Sequence, residues 1–356
     1  MTTLSETVRL AAAPSTKAEP IGPAAGTAAD RVVTVTANPA IDHTVWIPGF
    51  RAGEVNRVAA EDRSPGGKGV NVAAALRALG VGRVEVTGFL GAENCGLFEA
   101  FFAAEGIGDR FLRVPGATRT GIKIVDDSTG DTTDVNFPGP ALGPDDVDEL
   151  AAVVAEAAEG AAWVVLSGSL SPGAAVDLYA RLTAAAHAGG AAVALDTSGP
   201  ALAAAVPAGP DLVKPNAEEL AELAGRPLPS RTARLAAADD LRAADVDTVV
   251  VSLGGEGALF VAGEGAVAAR PPPVAVRSTV GAGDAMVAGT IAALLRGEPL
   301  TGVARLATAC GAAAVAGVGP RLDPAEVARR AGEVAVETLT GPRPARLPHR
   351  RLRGIS

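Results

Sequence analysis

Short apolar runs and amphipathic stretches alternate along most of the chain. The runs Val32 to Ala37, Val84 to Phe89, Trp163 to Ser167, Ala191 to Asp196, Leu212 to Lys214 and Thr248 to Leu253 have strand length and few polar interruptions. Between them lie stretches of helical character: Val70 to Leu79, Glu93 to Glu105, Asp145 to Ala158, Gly173 to Ala188, Ala217 to Ala224 and Arg231 to Ala243. Strands apolar on both sides, separated by amphipathic helices, predict an α/β fold with a mostly parallel sheet covered on both faces. The last third changes character: Gly257 to Ala262 and Ala266 to Arg270 predict a hairpin, and further helices start at Ala282 and Gly302. Two segments, 43–62 and 118–137, alternate apolar and polar positions instead, as in Thr120-Gly121-Ile122-Lys123-Ile124-Val125. They predict a small separate β sheet, read as a lid that keeps water from nearby polar clusters. The alternative is an edge extension of the main sheet.

Composition narrows the function. The apolar fraction of 48% is largely alanine, and no run reaches the ~18 apolar residues a spanning helix requires. Pro14 cuts the apolar stretch after Arg9 too short for a signal peptide, so no membrane contact is expected and the location is read as cytoplasmic. The two cysteines, Cys95 and Cys310, lie far apart, which leaves no disulfide framework or cysteine zinc site. Three scattered histidines offer little for a metal cluster or a Ser-His-Asp triad. A net charge of -9 with 3% aromatics argues against nucleic acid as a partner. Residues 1–30, rich in Ala, Pro, Gly and Thr, are expected to be a disordered extension. Residues 31–338 are expected to form the folded domain, and 339–356 a basic Pro/Arg-rich tail.

Chemistry concentrates in a few polar clusters. Ser278-Thr279-Val280-Gly281-Ala282-Gly283-Asp284 precedes an apolar helix, so glycine-flanked amides and a helix N-terminus form an anion site beside Asp284. Asp284 is either a helix-capping carboxylate or a base for a hydroxyl attacking a phosphoryl group. Gly66-Gly67-Lys68-Gly69-Val70-Asn71 also leads into a helix, but Gly69 stands where a Walker loop has Ser or Thr. Only four lysines occur among 31 basic residues, and two of them, Lys68 and Lys214, lie in glycine- or proline-marked turns. That placement suggests a need for compact ammonium groups. Asn38-Pro39-Ala40-Ile41-Asp42 follows the first strand, where Asp42 either binds hydroxyls or closes an Asx turn. In Lys214-Pro215-Asn216-Ala217-Glu218-Glu219, Asn216 and Glu219 either form a capping box or hold water around a magnesium ion. Ser167-Gly168-Ser169 and Ser252-Leu253-Gly254-Gly255-Glu256-Gly257 are strand-end turns that carry little information alone. A Rossmann oxidoreductase would need a G-x-G-x-x-G turn after the first strand, and Asn38-Pro39 stands there instead.

In this order, over about residues 31–322, the clusters resemble the PfkB-type, ribokinase-like sugar kinases. The resemblance implies a three-layer α/β sandwich with a small β lid that often forms a homodimer contact. It implies ATP and Mg2+ as cofactors and a sugar phosphate as the small-molecule substrate. Asp284 would be the general base, with the amides of Gly281, Ala282 and Gly283 stabilising the transition state. Asp42, Gly66, Gly67 and Asn71 would hold sugar hydroxyls. Lys68 and Arg119, assisted by Ser169, would grip the phosphate already on the substrate. Lys214, Asn216, Ser252, Gly254, Gly257 and Ser278 would serve the nucleotide, and Asn216 and Glu219 the magnesium through water. Gly53-Glu54-Val55-Asn56, Gly88-Phe89-Leu90-Gly91 and Thr118-Arg119 are similar to the branch that phosphorylates fructose 1-phosphate at C6. Phe137-Pro138-Gly139-Pro140 and Pro271-Pro272-Pro273 lean toward the branch that uses fructose 6-phosphate, and tagatose-6-phosphate kinases share the lysine. A non-catalytic sugar-phosphate sensor is the non-enzymatic alternative.

Overall fold

The computed structural model of the chain describes residues 30–317 and 321–340. The extension expected over residues 1–29 and the Pro/Arg-rich tail from 341 onward lie outside the described residues. In chain order the elements begin with β1 (Arg31–Thr36), β2 (Ala40–Trp46), β3 (Ala60–Gly66), α1 (Lys68–Ala78), β4 (Arg83–Gly91) and α2 (Gly96–Glu105). Next come β5 (Gly108–Asp109), β6 (Leu112–Val114), β7 (Arg119–Asp126), β8 (Asp131–Asn136), α3 (Pro144–Ala158), β9 (Trp163–Ser167), α4 (Leu178–Ala188) and β10 (Ala192–Asp196). Then follow α5 (Gly199–Ala205), β11 (Leu212–Val213), α6 (Ala217–Leu223), α7 (Arg231–Ala243), β12 (Thr248–Ser252), β13 (Ala258–Ala262) and β14 (Gly265–Arg270). The chain closes with α8 (Ala282–Leu295), α9 (Leu300–Ala316), α10 (Pro324–Ala331) and β15 (Ala335–Thr340).

The main sheet runs β15-β14-β13-β12-β11-β10-β9-β1-β4-β5, with β6 also on β4. From β12 to β5 every pairing is parallel, whereas β12-β13-β14-β15 pair antiparallel. Parallel strands need helical crossovers, and these cover both faces. Strand alternation divides the core accordingly. Val32 packs with α1, α2, α8, α9 and α10 on one face; Val33 and Val35 pack with α3, α4, α5 and α7 on the other. This is the α/β sandwich the apolar runs predict. β1 lies between β4 and β9, so the chain builds outward on one side of β1 and then returns to build the other. Such a switch point opens a crevice at the C-terminal strand ends.

The two alternating segments form a separate four-stranded sheet, β3-β2-β7-β8. Its period of two puts Asp42, Gly121 and Lys123 on one face and Ile41, His43, Thr120 and Ile122 on the other. The second face meets the start of α2 across a cavity of about 490 Å³ lined by Ile41, His43, Arg63, Asn94, Leu97 and Thr120.

Several boundaries differ from the sequence expectation for local reasons. The helix expected from Gly173 starts at Leu178, because Gly173 has φ 83°, outside the helical region, and the carbonyl of Pro172 before it accepts the Leu142 N–H at 3.0 Å. The helix expected from Glu93 starts at Gly96. Asn94 ties itself to both backbone groups of Thr118, at 2.9 and 2.7 Å, and stays outside. α9 begins at Leu300 rather than Gly302. β5, β6, α5, α10 and β15 were not expected, and β15 carries regular structure across the anticipated 338/339 boundary.

α8 carries the site at its start and is buried along most of its length against α9. A Cβ at Gly289 would lie 2.8 Å from both the Ala307 Cα and the Cys310 Sγ, so glycine sets this close approach. Gly289→Ala should force the helices apart and lower stability by about 1–3 kcal/mol, read as a lower urea midpoint. An unchanged midpoint would show that the α8–α9 contact is not held by the glycine.

Candidate active site

The crevice is assembled by register. Thr36 of β1, Ser167 of β9 and Asp196 of β10 are direct partners across the parallel strands. The turns that follow therefore leave the sheet side by side, and they carry Asn38, Ser169 and Thr197. Leu195 pairs with Val213, which places Lys214 one residue beyond the same edge. An isolated bridge joins Asn216 to Ser252, so the turn after β12 continues the row. Two helix starts close the crevice from one side, α1 at Lys68 and α8 at Ala282.

Asp284 lies in the first turn of α8 and is 5% exposed. The N-cap position is Gly281 at φ 80°, and no side chain caps this helix, so Asp284 is not the capping carboxylate. Its Oδ2 accepts a 2.8 Å hydrogen bond from Asn71 Nδ2 of α1. The first intrahelical bond is donated by Ala285 to the Gly281 carbonyl. The amides of Ala282, Gly283 and Asp284 thus precede the helical ladder and constitute the anion-binding end. Burial pushes the Asp284 carboxyl up from 3.8 to about 6, and the charge of Asp196 adds to this. Lys68, the Asn71 amide and Lys214 pull the other way.

Asp196, 1% exposed, is the residue the sequence reading missed. Lys214 Nζ is 3.1 Å from its Oδ1, and Lys68 Nζ is 3.3 and 3.2 Å from its two oxygens. Burial acts to raise the pKa of this carboxyl, but Lys214 and Lys68 together hold it below the ordinary carboxylate value. The available signal was its position at the C-terminal end of a central strand, the rule that singled out Asn38 to Asp42.

Asp42 does not close an Asx turn: it lies within β2, and its Oδ1 is 2.7 Å from Lys123 Nζ. A Cβ at Gly66 would lie 2.6 Å from the Asp42 Cγ, and one at Gly67, with φ 121°, would lie 2.8 Å from Thr36 Cγ2. Only glycine lets this turn pass between lid and sheet. Arg119 directs Nη1 to the Phe137 carbonyl at 3.1 Å and Nη2 to the Asn38 carbonyl at 3.2 Å. Asn38, 7% exposed, reaches Ser169 Oγ at 3.4 Å. Burial lowers the Arg119 pKa, with Asp42 acting against it.

The expectation puts Lys68 with Arg119 on the substrate phosphate; its ammonium group here pairs with Asp196. It is anchored on Asp196, and burial, Asp196, Asp284 and Glu219 dominate its electrostatic surroundings. Asn216 and Glu219 form a complete capping box on α6, with both hydrogen bonds at 2.8 Å. The box engages Glu219 Oε2 and leaves Oε1 outside it. Ser252 donates its backbone N–H to the Pro215 carbonyl at 3.0 Å. Gly254 and Gly257 have positive φ, and a Cβ at Gly257 would strike the Ala269 carbonyl oxygen. Ser278 Oγ accepts from Val280 N–H at 3.2 Å. Among the described residues no group of three or more His, Cys, Asp or Glu could cage a metal ion, and no helix is long and apolar enough to cross a membrane.

A buried carboxylate at a helix start, hydrogen-bonded to an asparagine amide and near two ammonium groups at the switch point of a parallel sheet, is the arrangement that phosphoryl transfer in a sugar kinase requires. The chain belongs to the pfkB family of carbohydrate kinases, whose model matches residues 32–327. It is 52% identical over 311 residues to a 1-phosphofructokinase of Rhodobacter capsulatus, covering 87% of this chain and 98% of that protein. It is 47% identical over 284 residues to a 1-phosphofructokinase of Xanthomonas campestris, covering 78% and 89% respectively. Its fold superposes on phosphofructokinase-2 of Escherichia coli, solved in complex with substrates and products. There the TM-score is 0.81 and the identity 33%, covering 85% of this chain and 99% of that one.

The raised Asp284 pKa has a stability consequence. The fold favours the protonated form, so this contribution is complete below about pH 4 and is lost as pH rises through about 6. Asp284→Asn should therefore stabilise the ligand-free protein at pH 7.5 by up to about 3 kcal/mol and leave it unchanged near pH 4. Melting temperatures at the two pH values measure this, and an equal shift at both would contradict it.

Proposed function

We propose that this chain transfers the γ-phosphoryl group of ATP to the C6 hydroxyl of fructose 1-phosphate, giving fructose 1,6-bisphosphate and ADP. The observation that carries the reaction is Asp284, buried beside unladdered amides and with a pKa of about 6. It is ionised at neutral pH yet basic enough to take a hydroxyl proton. The likeness to the Rhodobacter and Xanthomonas 1-phosphofructokinases supports the choice of sugar.

In this reading Asp284 removes the proton from O6 as O6 attacks the γ-phosphorus, and the amides of Gly281, Ala282 and Gly283 stabilise the charge that develops. Asp42, Gly66, Gly67 and Asn71 hold the sugar hydroxyls, with Lys123 orienting Asp42. Arg119, with Ser169, receives the phosphate at C1; its fork can exchange backbone carbonyls for phosphate oxygens. Lys214, Asn216, Ser252, Gly254, Gly257 and Ser278 line the nucleotide side. The uncommitted Oε1 of Glu219 and the amide of Asn216 suit a hydrated Mg2+ held mainly by ATP phosphates. When bound, that ion neutralises charge on the β- and γ-phosphates. The four-stranded sheet acts as the lid. Exposed Val135 on β8, Phe137 just beyond it, and Val55 and Val58 in the β2–β3 connection favour a homodimer contact through the lid.

A coupled ADP-release assay with Mg-ATP tests the reading. Fructose 1-phosphate should give a higher kcat/KM than fructose 6-phosphate or tagatose 6-phosphate; preference for either 6-phosphate moves the substrate to that branch. No ADP release with any of the three would favour a sensor. Asp284→Asn should lower kcat by about 10^2- to 10^4-fold while ATP binding persists. The acid limb of the wild-type kcat/KM profile should fall near pH 6. Arg119→Ala should raise KM for fructose 1-phosphate by about 10- to 100-fold and leave KM for ATP nearly unchanged. Equal effects on both substrates would assign Arg119 to lid structure.

A further inference from the structure

Resting on the fructose 1-phosphate reading, we propose that Lys68 acts on the phosphoryl group in transfer, not on the phosphate the substrate already carries, and that Asp196 is the positioning residue that holds it there beside Lys214. The geometry is specific. Lys68 and Asn71 are three residues apart on α1 and so share a helix face. Asn71 reaches Asp284 at 2.8 Å, and Lys68 reaches Asp196 at 3.2 Å. Lys214 occupies the other side of Asp196 at 3.1 Å, and a Cβ on Gly283 would lie 3.2 Å from its Nζ. Both ammonium groups therefore stand at the start of α8, around the base.

Arg119 stands among different groups. Its donors reach Asn38 and Phe137, and Asp42 is the carboxylate that acts on it. In fructose 1-phosphate the C1 phosphate and the C6 hydroxyl are at opposite ends of the furanose. A cation that surrounds the base at C6 faces the incoming γ-phosphoryl group; a cation beside Asp42 and the lid faces C1.

During transfer the O6–H proton passes to the Asp284 carboxylate as the O6–Pγ bond forms. The bond from Pγ to the β,γ-bridging oxygen breaks, and its electrons leave with ADP. Charge spreads over the three equatorial oxygens, where two preplaced ammonium groups act most strongly. Asp196 fixes their separation and keeps Lys68 charged. Burial alone would lower the Lys68 pKa, but Asp196 and Asp284 raise it above its ordinary value. The groups facing Asp284 are Lys68 and the Asn71 amide from α1, Asp196 from β10, and Lys214 beyond β11. With Lys68 and Lys214 still charged through Asp284, removing the Asp196 charge shifts the base downward.

The test uses the full-length enzyme with Mg-ATP. Wild-type turnover of fructose 1-phosphate is established first; its absence would end the substrate reading rather than this one. Lys68→Met should lower kcat by about 10^2- to 10^3-fold, with KM for fructose 1-phosphate within about threefold of wild type. A raised KM for fructose 1-phosphate with kcat retained would return Lys68 to the resident phosphate and overturn the proposal. Asp196→Asn should lower kcat and move the acid limb of kcat/KM below its wild-type position, and Asp196→Glu should restore the limb. A loss of turnover in Asp196→Asn with the limb unmoved would make Asp196 merely structural. If Asp196→Asn does not fold, the KM-against-kcat split of Lys68→Met still decides where Lys68 acts.

Discussion

A carboxylate with 1% exposure cannot remain ionised alone, and Asp196 remains so because two lysines from different parts of the chain converge on it. One comes from the start of α1 and the other from the turn after β11, and β10 holds the carboxylate between them. The backbone carbonyl of Asp196 also receives the Gly168 amide at 3.0 Å, which fixes the turn carrying Ser169. The Tyr179 hydroxyl lies 3.1 and 3.0 Å from the Ser167 and Gly168 carbonyls and shares its one proton between them. One strand end therefore sets the cation pair, the neighbouring turn and the charge felt by Asp284.

The balance of charge explains how a second carboxylate can be buried here. Two carboxylates, Asp196 and Asp284, face two ammonium groups, Lys68 and Lys214, so the centre is close to neutral when both acids are ionised. The two acids nevertheless diverge. Asp196 takes both ion pairs directly and is held low, whereas Asp284 has the Asn71 amide as its direct partner and is pushed up. Paired titratable groups driven apart by their surroundings separate an acid that stays charged from one that can accept a proton near neutrality.

Much of this was legible in the chain. Valine-rich runs of strand length dictated the parallel sheet, and their spacing left room only for helical crossovers. The polar clusters coincided with strand ends and helix starts, which is why Asp284, Asn71, Lys68 and Lys214 could be singled out. Strand register was not legible. Only the pairing of Thr36, Ser167 and Asp196 shows that three distant strand ends lie side by side, and only that pairing gives Lys68 its partner. Helix starts were misplaced where a distant contact overrides local propensity, as beside Gly173, where the Pro172 carbonyl accepts the Leu142 N–H, and at Asn94 on Thr118. β15 escaped notice because its apolar Val336 and Leu339 are only partly buried, one against each core, and its Ala-Val-Glu-Thr-Leu-Thr pattern lacks a continuous apolar run.

The scarcity of lysine acquires a physical explanation. An arginine fork matches a carboxylate in a bidentate manner and tends to saturate both oxygens. Two such planes could not share Asp196 and still present donors to a third, moving group. Ammonium groups are compact and donate in three directions, so Lys214 can take Oδ1 while Lys68 spans both oxygens, each with hydrogens to spare. Arg119 illustrates the opposite requirement. It bridges the carbonyls of Asn38 and Phe137 where a planar, fixed fork suits two acceptors on adjoining loops. A chain that uses arginine almost everywhere else thus places lysine where one buried carboxylate must hold two cations side by side.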